Sequence, residues 1–133
     1  MPVQGLTTIR SGFDPQDTMN RLEAAVKAKG LTVFARIDHA AGAGAAGLIL
    51  RPTEVLIFGN AKGGTPLMQS VQTIGIDLPL KALVWQDSSD VTWLSYNDPA
   101  GLAQRHGLSV ATDAVVANLT GALDAVAKAA TVG

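Results

Sequence analysis

The feature that most restricts the fold is the order of secondary-structure patterns along the chain. Clear helical patterns lie near each end, at residues 12–30 and 112–130, and strand patterns lie between them. Few connections are long enough for a parallel crossover, which needs a dozen or more residues and usually a full helix. This order is typical of an α+β fold, with helices packed on one face of a mostly antiparallel sheet.

The strand patterns predict a sheet of four to five strands. "LTVFARID" alternates its side chains with period two, as a half-buried strand does. "LKALVWQD" and "VTWLSYND" are joined by "SSD", which suits a tight hairpin. The remaining expected strands are "LTTIR" and "TEVLIFGN".

The hairpin places two tryptophans on one face of the sheet. Lys81 and Trp85 share a side of the first strand, and Trp93 lies on one side of the second, with Tyr96 on the other. The tryptophans are therefore expected to be cross-strand neighbours. An amphipathic face of this kind either meets a partner subunit or lines a site.

Helix boundaries are marked by capping residues. Asp14 is expected to cap the first long helix, with Pro15 at its first position and Gly30 at its stop. A short helix is expected to begin at Thr65, followed by Pro66, and another lies in "PAGLAQRHG". The last long helix has its apolar face at Val115, Val116, Leu119, Leu123 and Val126.

Composition limits the class of protein. The chain has 133 residues, 47% of them hydrophobic, so a single domain over residues 1–133 is expected. It has no cysteine, which excludes disulfides, thiolate metal sites and a cysteine nucleophile. A net charge of −1 without a basic run argues against nucleic-acid binding. The N-terminal stretch lacks the signal-peptide pattern and no membrane span is expected, so we predict a cytoplasmic protein.

Two glycine-rich motifs invite a nucleotide-binding interpretation. "GAGAAG" at 42–47 matches the dinucleotide fingerprint, but "LILRPTEVLIFG" follows where a helix is required, so a flexible or short helical connection is favoured. "GNAKGGT" places Lys62 before both glycines rather than next to Thr65, which is wrong for a Walker loop. A turn capped by Thr65 is favoured, and a weaker anion site at this helix start stays open.

Candidate catalytic groups are few. Asp38 and His39 end a strand and enter a loop, and His39 would act as a general base only if Asp77 or Asp87 oriented it. His106 lies at the end of a short helix, where an imidazolium interacts favourably with the terminus. No clustering of metal ligands and no serine-hydrolase elbow is present, so neither a metal nor a cofactor is expected.

Four segments together resemble one known family. They are "FARIDHAAGAG", "LILRPTEVLIFGNAKGGTPLM", "TIGIDLPLKALVWQD" and "VTWLSYNDPAGLAQRHGL", and the chain is similar to the DUF302 family of bacterial domains over roughly residues 5–130. The resemblance implies a β-α-β(4)-α fold like that of TATA-binding protein, and a homodimer, but no known activity. Ala61 stands where the family commonly has proline, and Gln86 where it often has an acid.

Two functions follow as hypotheses. The favoured one is a non-catalytic module for small-molecule binding or dimerisation, without a cofactor. The alternative is a small enzyme acting on a polar or anionic metabolite with His39 as base, or a weak metal-linked sensor. The residues singled out for ligand binding are Asp38, His39, Asn60, Thr65, Lys81 and Tyr96.

Overall fold

The computed structural model describes residues 3–133. Residues 1 and 2, which begin the predicted domain and the N-terminal stretch judged not to be a signal peptide, lie outside the described part. The elements are β1 (Leu6–Arg10), α1 (Pro15–Ala28), β2 (Thr32–Asp38), α2 (His39–Ala45), β3 (Thr53–Gly59), α3 (Ala61–Ser70), a 3-10 helix (Gln72–Asp77), β4 (Leu80–Gln86), β5 (Thr92–Asn97), α4 (Pro99–His106), a 3-10 turn (Val110–Thr112) and α5 (Asp113–Thr131).

The strands form one five-stranded sheet in the order β1-β5-β4-β3-β2, and every neighbouring pair is antiparallel. The predicted α+β class is therefore confirmed. The β4–β5 hairpin is closed by Asp87, whose side chain accepts hydrogen bonds from the backbone N–H groups of Ser89 and Val91. Asp90 in this turn has a φ of 61°, a left-handed conformation that aspartate tolerates better than most residues.

Helices α1 and α5 pack against each other and against one face of the sheet. The predicted start of α1 is confirmed, because Asp14 accepts a hydrogen bond from the N–H of Asp17 at 2.7 Å and Pro15 is the first helical residue. The apolar residues of both helices meet the sheet side chains in one core: Met19, Leu22, Val26, Leu56, Phe58, Leu80, Val84, Leu94, Leu123 and Val126. Each such side chain contributes roughly 1.5–3 kcal/mol by leaving water.

Two local expectations are corrected. Asp38 and His39 do not enter a loop, because the Asp38 carboxylate accepts from the N–H of Ala41 and caps α2 directly after β2. Helix α3 begins at Ala61 rather than after Thr65, because Asn60 provides an earlier cap. In both places a short polar side chain starts a helix sooner than the apolar pattern indicated.

The segment Val110–Thr131, which is α5 with the turn before it, is long and apolar enough to cross a membrane by length and composition alone. Only 22% of its most apolar window is buried within the protein. Its C-terminal half nevertheless belongs to the core, where Leu123, Val126 and Ala130 are buried. A core helix of a soluble protein passes the same test, so the pattern does not by itself place α5 in a membrane.

Candidate functional site

A pocket of about 500 Å³ opens between the start of β2, helix α3, the 3-10 helix after it and helix α5. Its walls are mostly apolar, and the large side chains among them are Leu31, Phe34, Met68, Leu78, Leu80 and Leu119. Four polar side chains complete the lining: Asn60, Lys62, Thr65 and Asn118. Small-molecule sites commonly have a volume of roughly 300–1,000 Å³ and a few polar groups among apolar walls.

Helix α3 forms the wall that carries most of these polar groups. The chain leaves β3 in an extended conformation at Asn60, whose Oδ1 accepts a hydrogen bond from the N–H of Gly63 at 2.8 Å. Asn60 thus acts as the cap of α3, and Thr65 lies within the helix. Two of the residues predicted to bind a ligand, Asn60 and Thr65, are therefore brought together beside the pocket.

The glycines of "GNAKGGT" allow α3 to approach its neighbours closely. A Cβ atom at Gly63 would lie 3.1 Å from Cδ2 of Leu119 on α5, which is tighter than ordinary contact. At Gly64 it would lie 3.5 Å from Cδ1 of Leu78, an ordinary contact distance. Helix packing at the edge of the pocket therefore explains Gly63, whereas Gly64 has room for a methyl group.

On its own sequence α3 is a weak helix. Each interior glycine costs about 1 kcal/mol relative to alanine and an interior proline about 3 kcal/mol. Pro66 also has no N–H to donate to the carbonyl of Lys62 one turn earlier. Tertiary contacts must supply the difference, and the principal anchor is Leu67, which is only 2% exposed.

Among the described residues that line the pocket, Lys62 alone is charged. Within residues 3–133 its ammonium lies within 4.0 Å of no carboxylate. Lys62, Asn60, Thr65 and Asn118 are all exposed, whereas Leu80 in the wall is buried. The buried part of the lining is therefore apolar, and its polar and charged side chains lie at the opening, where the exposed ring of Phe34 also lies.

A second polar cluster joins α4 to the 3-10 helix beside the pocket. Nε2 of His106 lies 2.6 Å from Oδ2 of Asp77, and Nδ1 lies 3.0 Å from Oγ1 of Thr73. Arg105 donates to both oxygens of the same carboxylate. The His106 side chain is 8% exposed. None of these four residues lines the pocket. We interpret the cluster as a set of hydrogen bonds that holds the 3-10 helix in position beside the pocket.

The pairing of His106 with Asp77 has no signal in the sequence, where Asp77 is instead a candidate partner of His39. Histidine and carboxylate lie 29 residues apart on elements that no local pattern connects. The other carboxylate considered for His39, that of Asp87, accepts a hydrogen bond from the indole N–H of Trp93 at 2.8 Å. That bond, with backbone N–H donors, lowers the pKa of Asp87 below its ordinary value.

The remaining predicted ligand residues lie apart from the pocket. His39 is the exposed first residue of α2, and Asp38 caps that helix and lines a smaller pocket with Arg36 and Glu54. In this second pocket the guanidinium of Arg36 is already paired, at 2.7 Å from Glu54. This internal pairing distinguishes the smaller pocket from the one beside Lys62.

Tyr96 and Lys81 lie on opposite faces of the sheet. Tyr96 is 6% exposed and belongs to the core, where burial raises the pKa of its hydroxyl. Lys81 lies on the face away from α1 and α5, the same face as Trp85. The structure thus brings together Asn60 and Thr65, and leaves the other four predicted residues in separate places.

The face of the sheet opposite α1 and α5, here called the open face, carries rows of apolar side chains. The register aligns Ile37, Val55, Leu83 and Ser95 across four strands, and Ala35 with Ile57 and Lys81 in the next row. Ile37 is 43% exposed, and Val55, Ile57 and Leu83 are half-buried.

The tryptophan pair lies at one end of the open face, as predicted. Trp85 and Trp93 are direct cross-strand partners with ring centroids 6.2 Å apart and ring planes inclined by 29°. The indole N–H of Trp85 donates to Oγ of Ser95 at 2.9 Å. Both indole N–H groups are thus satisfied within the hairpin, and both side chains are half-buried.

Among residues 3–133 no three histidine, aspartate or glutamate side chains are grouped so that they could hold a metal ion. Several charged side chains form pairs instead, such as that between Glu23 and Lys27 at 2.8 Å. Hydrogen bonds from Lys27 and Arg36 lower the pKa of Glu23.

Three proteins from Brucella are similar to most of this chain. A protein named fluoride-specific ion channel FluC 1, from Brucella suis biovar 1 (strain 1330), is 52% identical over 118 residues, covering 88% of this chain and 46% of that protein. FluC 1 of Brucella abortus and FluC 2 of Brucella melitensis are also 52% identical over the same length, which is 44% of each. The chain therefore spans about half the length of the curated relatives it matches.

The fold has also been solved in another protein. A crystal structure of an uncharacterized conserved DUF302 protein from Bacillus stearothermophilus superposes with a TM-score of 0.84, covers 96% of this chain and 99% of that one, and is 20% identical. At that identity the likeness establishes the fold alone. The family described as "Domain of unknown function DUF302" matches residues 7–126. The chain therefore belongs to the DUF302 family.

Proposed function

We propose that this domain is a non-catalytic module that binds a small molecule in the pocket between α3 and α5. The observation that carries the proposal is the lining of that pocket, in which apolar walls surround about 500 Å³ and hydrogen-bonding groups are confined to the opening. Such an arrangement desolvates an apolar body and orients it by a few polar contacts. Because the walls are already formed, little ordering is required on binding.

The alternative of an enzyme with His39 as general base has less support. His39 follows the end of β2 that pairs with Glu54, whereas Asn60 follows the opposite end of β3. At about 3.3 Å per residue, these ends are roughly 17 Å apart. A general base must come within hydrogen-bond reach of the proton that it removes. A single small metabolite would not contact His39, Asn60 and the buried Tyr96 together.

The test is a ligand screen with a matched pair of pocket variants. Ala122 and Ala129 are both on α5, but only Ala122 lines the pocket, and Ala129 is exposed. Ala122→Trp should fill the pocket and abolish stabilisation by any hit, while Ala129→Trp should retain it. A ligand at a hundredfold excess over Kd stabilises the native state by about 2.7 kcal/mol. Hits that stabilise both variants equally would refute this site.

We also propose that the domain forms a homodimer in the cytoplasm through the open face. Support comes from the apolar side chains and the tryptophan pair on the face of the sheet opposite α1 and α5. Val55→Glu, in the middle of this face, should give monomers in sedimentation experiments. Val110→Glu, at a residue 83% exposed elsewhere, is the control. A wild-type monomer at high concentration would remove the proposal.

A second candidate function comes from the Brucella relatives, in which a segment 52% identical to this chain forms about half of proteins named fluoride-specific ion channels. We propose that the domain assists such a channel. In liposomes containing the Brucella suis protein, deletion of the segment similar to this chain should change fluoride efflux, and adding this chain should partly restore it. Equal efflux from the full and the truncated protein would rule the candidate out.

A further inference from the structure

We infer that the ligand of the α3–α5 pocket is an amphipathic monocarboxylate, with a hydrocarbon body inside and its carboxylate at Lys62. The inference rests on the proposed binding function and names the chemical class that the site selects. Its basis is the division of the pocket into an apolar interior and an opening with one cation.

The interior favours a hydrocarbon body. Leu31, Leu78, Leu80 and Leu119 supply branched aliphatic surface, and Met68 supplies a flexible side chain that adapts to irregular shapes. Gly63 and Gly64 add surface of α3 to the wall without a polar side chain. A ligand with hydroxyl or amide groups along its body would lose hydrogen bonds to water there, at a cost of about 1–3 kcal/mol for each unpaired group.

The opening favours one negative charge. Lys62 is the single ionisable side chain of the lining, so no carboxylate is present there to attract an ammonium head group. Its ammonium is not neutralised by an acid within residues 3–133, in contrast to Arg36 beside the smaller pocket. The single positive charge of Lys62 neutralises the charge of a monoanion but only half of the charge of a dianion. A carboxylate carries one negative charge at neutral pH and a phosphate monoester about −1.5 to −2, so the single lysine favours a carboxylate.

Neutral hydrogen-bond donors stand on both sides of the opening. Thr65 on α3 and Asn118 on α5 line the pocket and are exposed. A hydroxyl and an amide N–H₂ both donate to a carboxylate oxygen. Two facing elements and a lysine together provide enough donors for both oxygens of one carboxylate. Hydrogen bonds to an ionised acceptor are the stronger kind, and they would fix which end of the ligand faces outward.

The experiment compares three ligands with the same chain and different heads: octanoate, octan-1-ol and octylammonium. Calorimetric titration of the wild-type domain should show octanoate binding about fivefold more tightly than octanol, the effect expected of one partly exposed ion pair. Octylammonium should bind more weakly than either. Lys62→Gln should remove the difference between octanoate and octanol, while Lys128→Gln, at an exposed lysine on α5 outside the pocket, should preserve it.

The outcomes separate the ligand class from the binding function. Equal affinity for octanoate and octanol, abolished by Ala122→Trp, would overturn the carboxylate assignment and leave the pocket as a ligand site. Binding of octanoate that survives Ala122→Trp would overturn both. If none of the three compounds binds, the inference is wrong, and the ligand screen decides separately whether the pocket binds another class.

Discussion

The paired glycines of α3 give the sharpest test of how this region is packed. Gly63 and Gly64 are adjacent, helical and without a left-handed φ, so alanine meets no backbone strain at either position. Each replacement by alanine gains about 1 kcal/mol of helix propensity. The two sites differ only in what the new methyl group would contact.

At Gly64 the added Cβ would lie 3.5 Å from Leu78 and 3.8 Å from Met68, which are ordinary contacts. We expect Gly64→Ala to raise the free energy of unfolding by about 0.5–1 kcal/mol. At Gly63 the Cβ would lie 3.1 Å from Cδ2 of Leu119. Overpacking of this kind typically costs about 1–3 kcal/mol, which offsets the gain in propensity. Gly63→Ala should therefore be neutral or destabilising.

Urea denaturation of the ligand-free protein measures both changes, and thermal unfolding should separate the variants by about 3–5 °C per kcal/mol. A double-mutant cycle with Leu119→Ala isolates the cause, because truncation of Leu119 removes the atom that obstructs the new methyl group. In that background Gly63→Ala should become stabilising by about as much as Gly64→Ala. If Gly63→Ala already stabilises the wild-type protein to the same extent, close packing does not explain the glycine.

Four further substitutions test the polar clusters. His106→Ala should lower the free energy of unfolding by about 1–3 kcal/mol, because both ring nitrogens make hydrogen bonds in a nearly buried position. By contrast His39→Ala, at an exposed position, should change neither the free energy of unfolding nor self-association measurably. Trp93→Phe should raise the pKa of Asp87 towards its ordinary value, because it removes the indole N–H, the donor that lowers this pKa most. An unchanged pKa of Asp87 in an NMR titration would contradict this. The pKa of Glu23 is lowered on folding, so its stabilising effect is present above the ordinary value of 4.5 and is lost as pH falls through the lowered value. Glu23→Gln should flatten that part of the plot of unfolding free energy against pH. If the variant and the wild-type protein lose stability identically at acid pH, the ion pairs of Glu23 contribute nothing.

The fold was predictable because its main signals are local. The start of α1 follows from Asp14 and Pro15, and the hairpin from period-two strands around a short turn. The same period placed Trp85 and Trp93 on one face, and the register confirms it. Alternation in a strand and capping of a helix depend on neighbours within a few residues, so they can be read without knowing the rest of the molecule.

The start of α3 shows where local signals compete. Asn60 and Thr65 are both good capping residues, and Pro66 suits the first position after a cap at Thr65. Propensity alone disfavours the longer helix, which must include two glycines and a proline. The observed helix begins at Ala61, with Asn60 as its cap, because contacts with Leu119 and Leu78 become available when α3 packs beside α5.

By itself, therefore, the sequence determined the α+β class, the positions of the long helices and the amphipathic open face, since each depends on residues near one another in the chain. Only the tertiary structure decided where the pocket lies, that Lys62 is its single charge, and that Asp77 pairs with His106 instead of His39. Those features require elements far apart in the chain to meet, and the contacts that select one arrangement over another exist only once the core has formed.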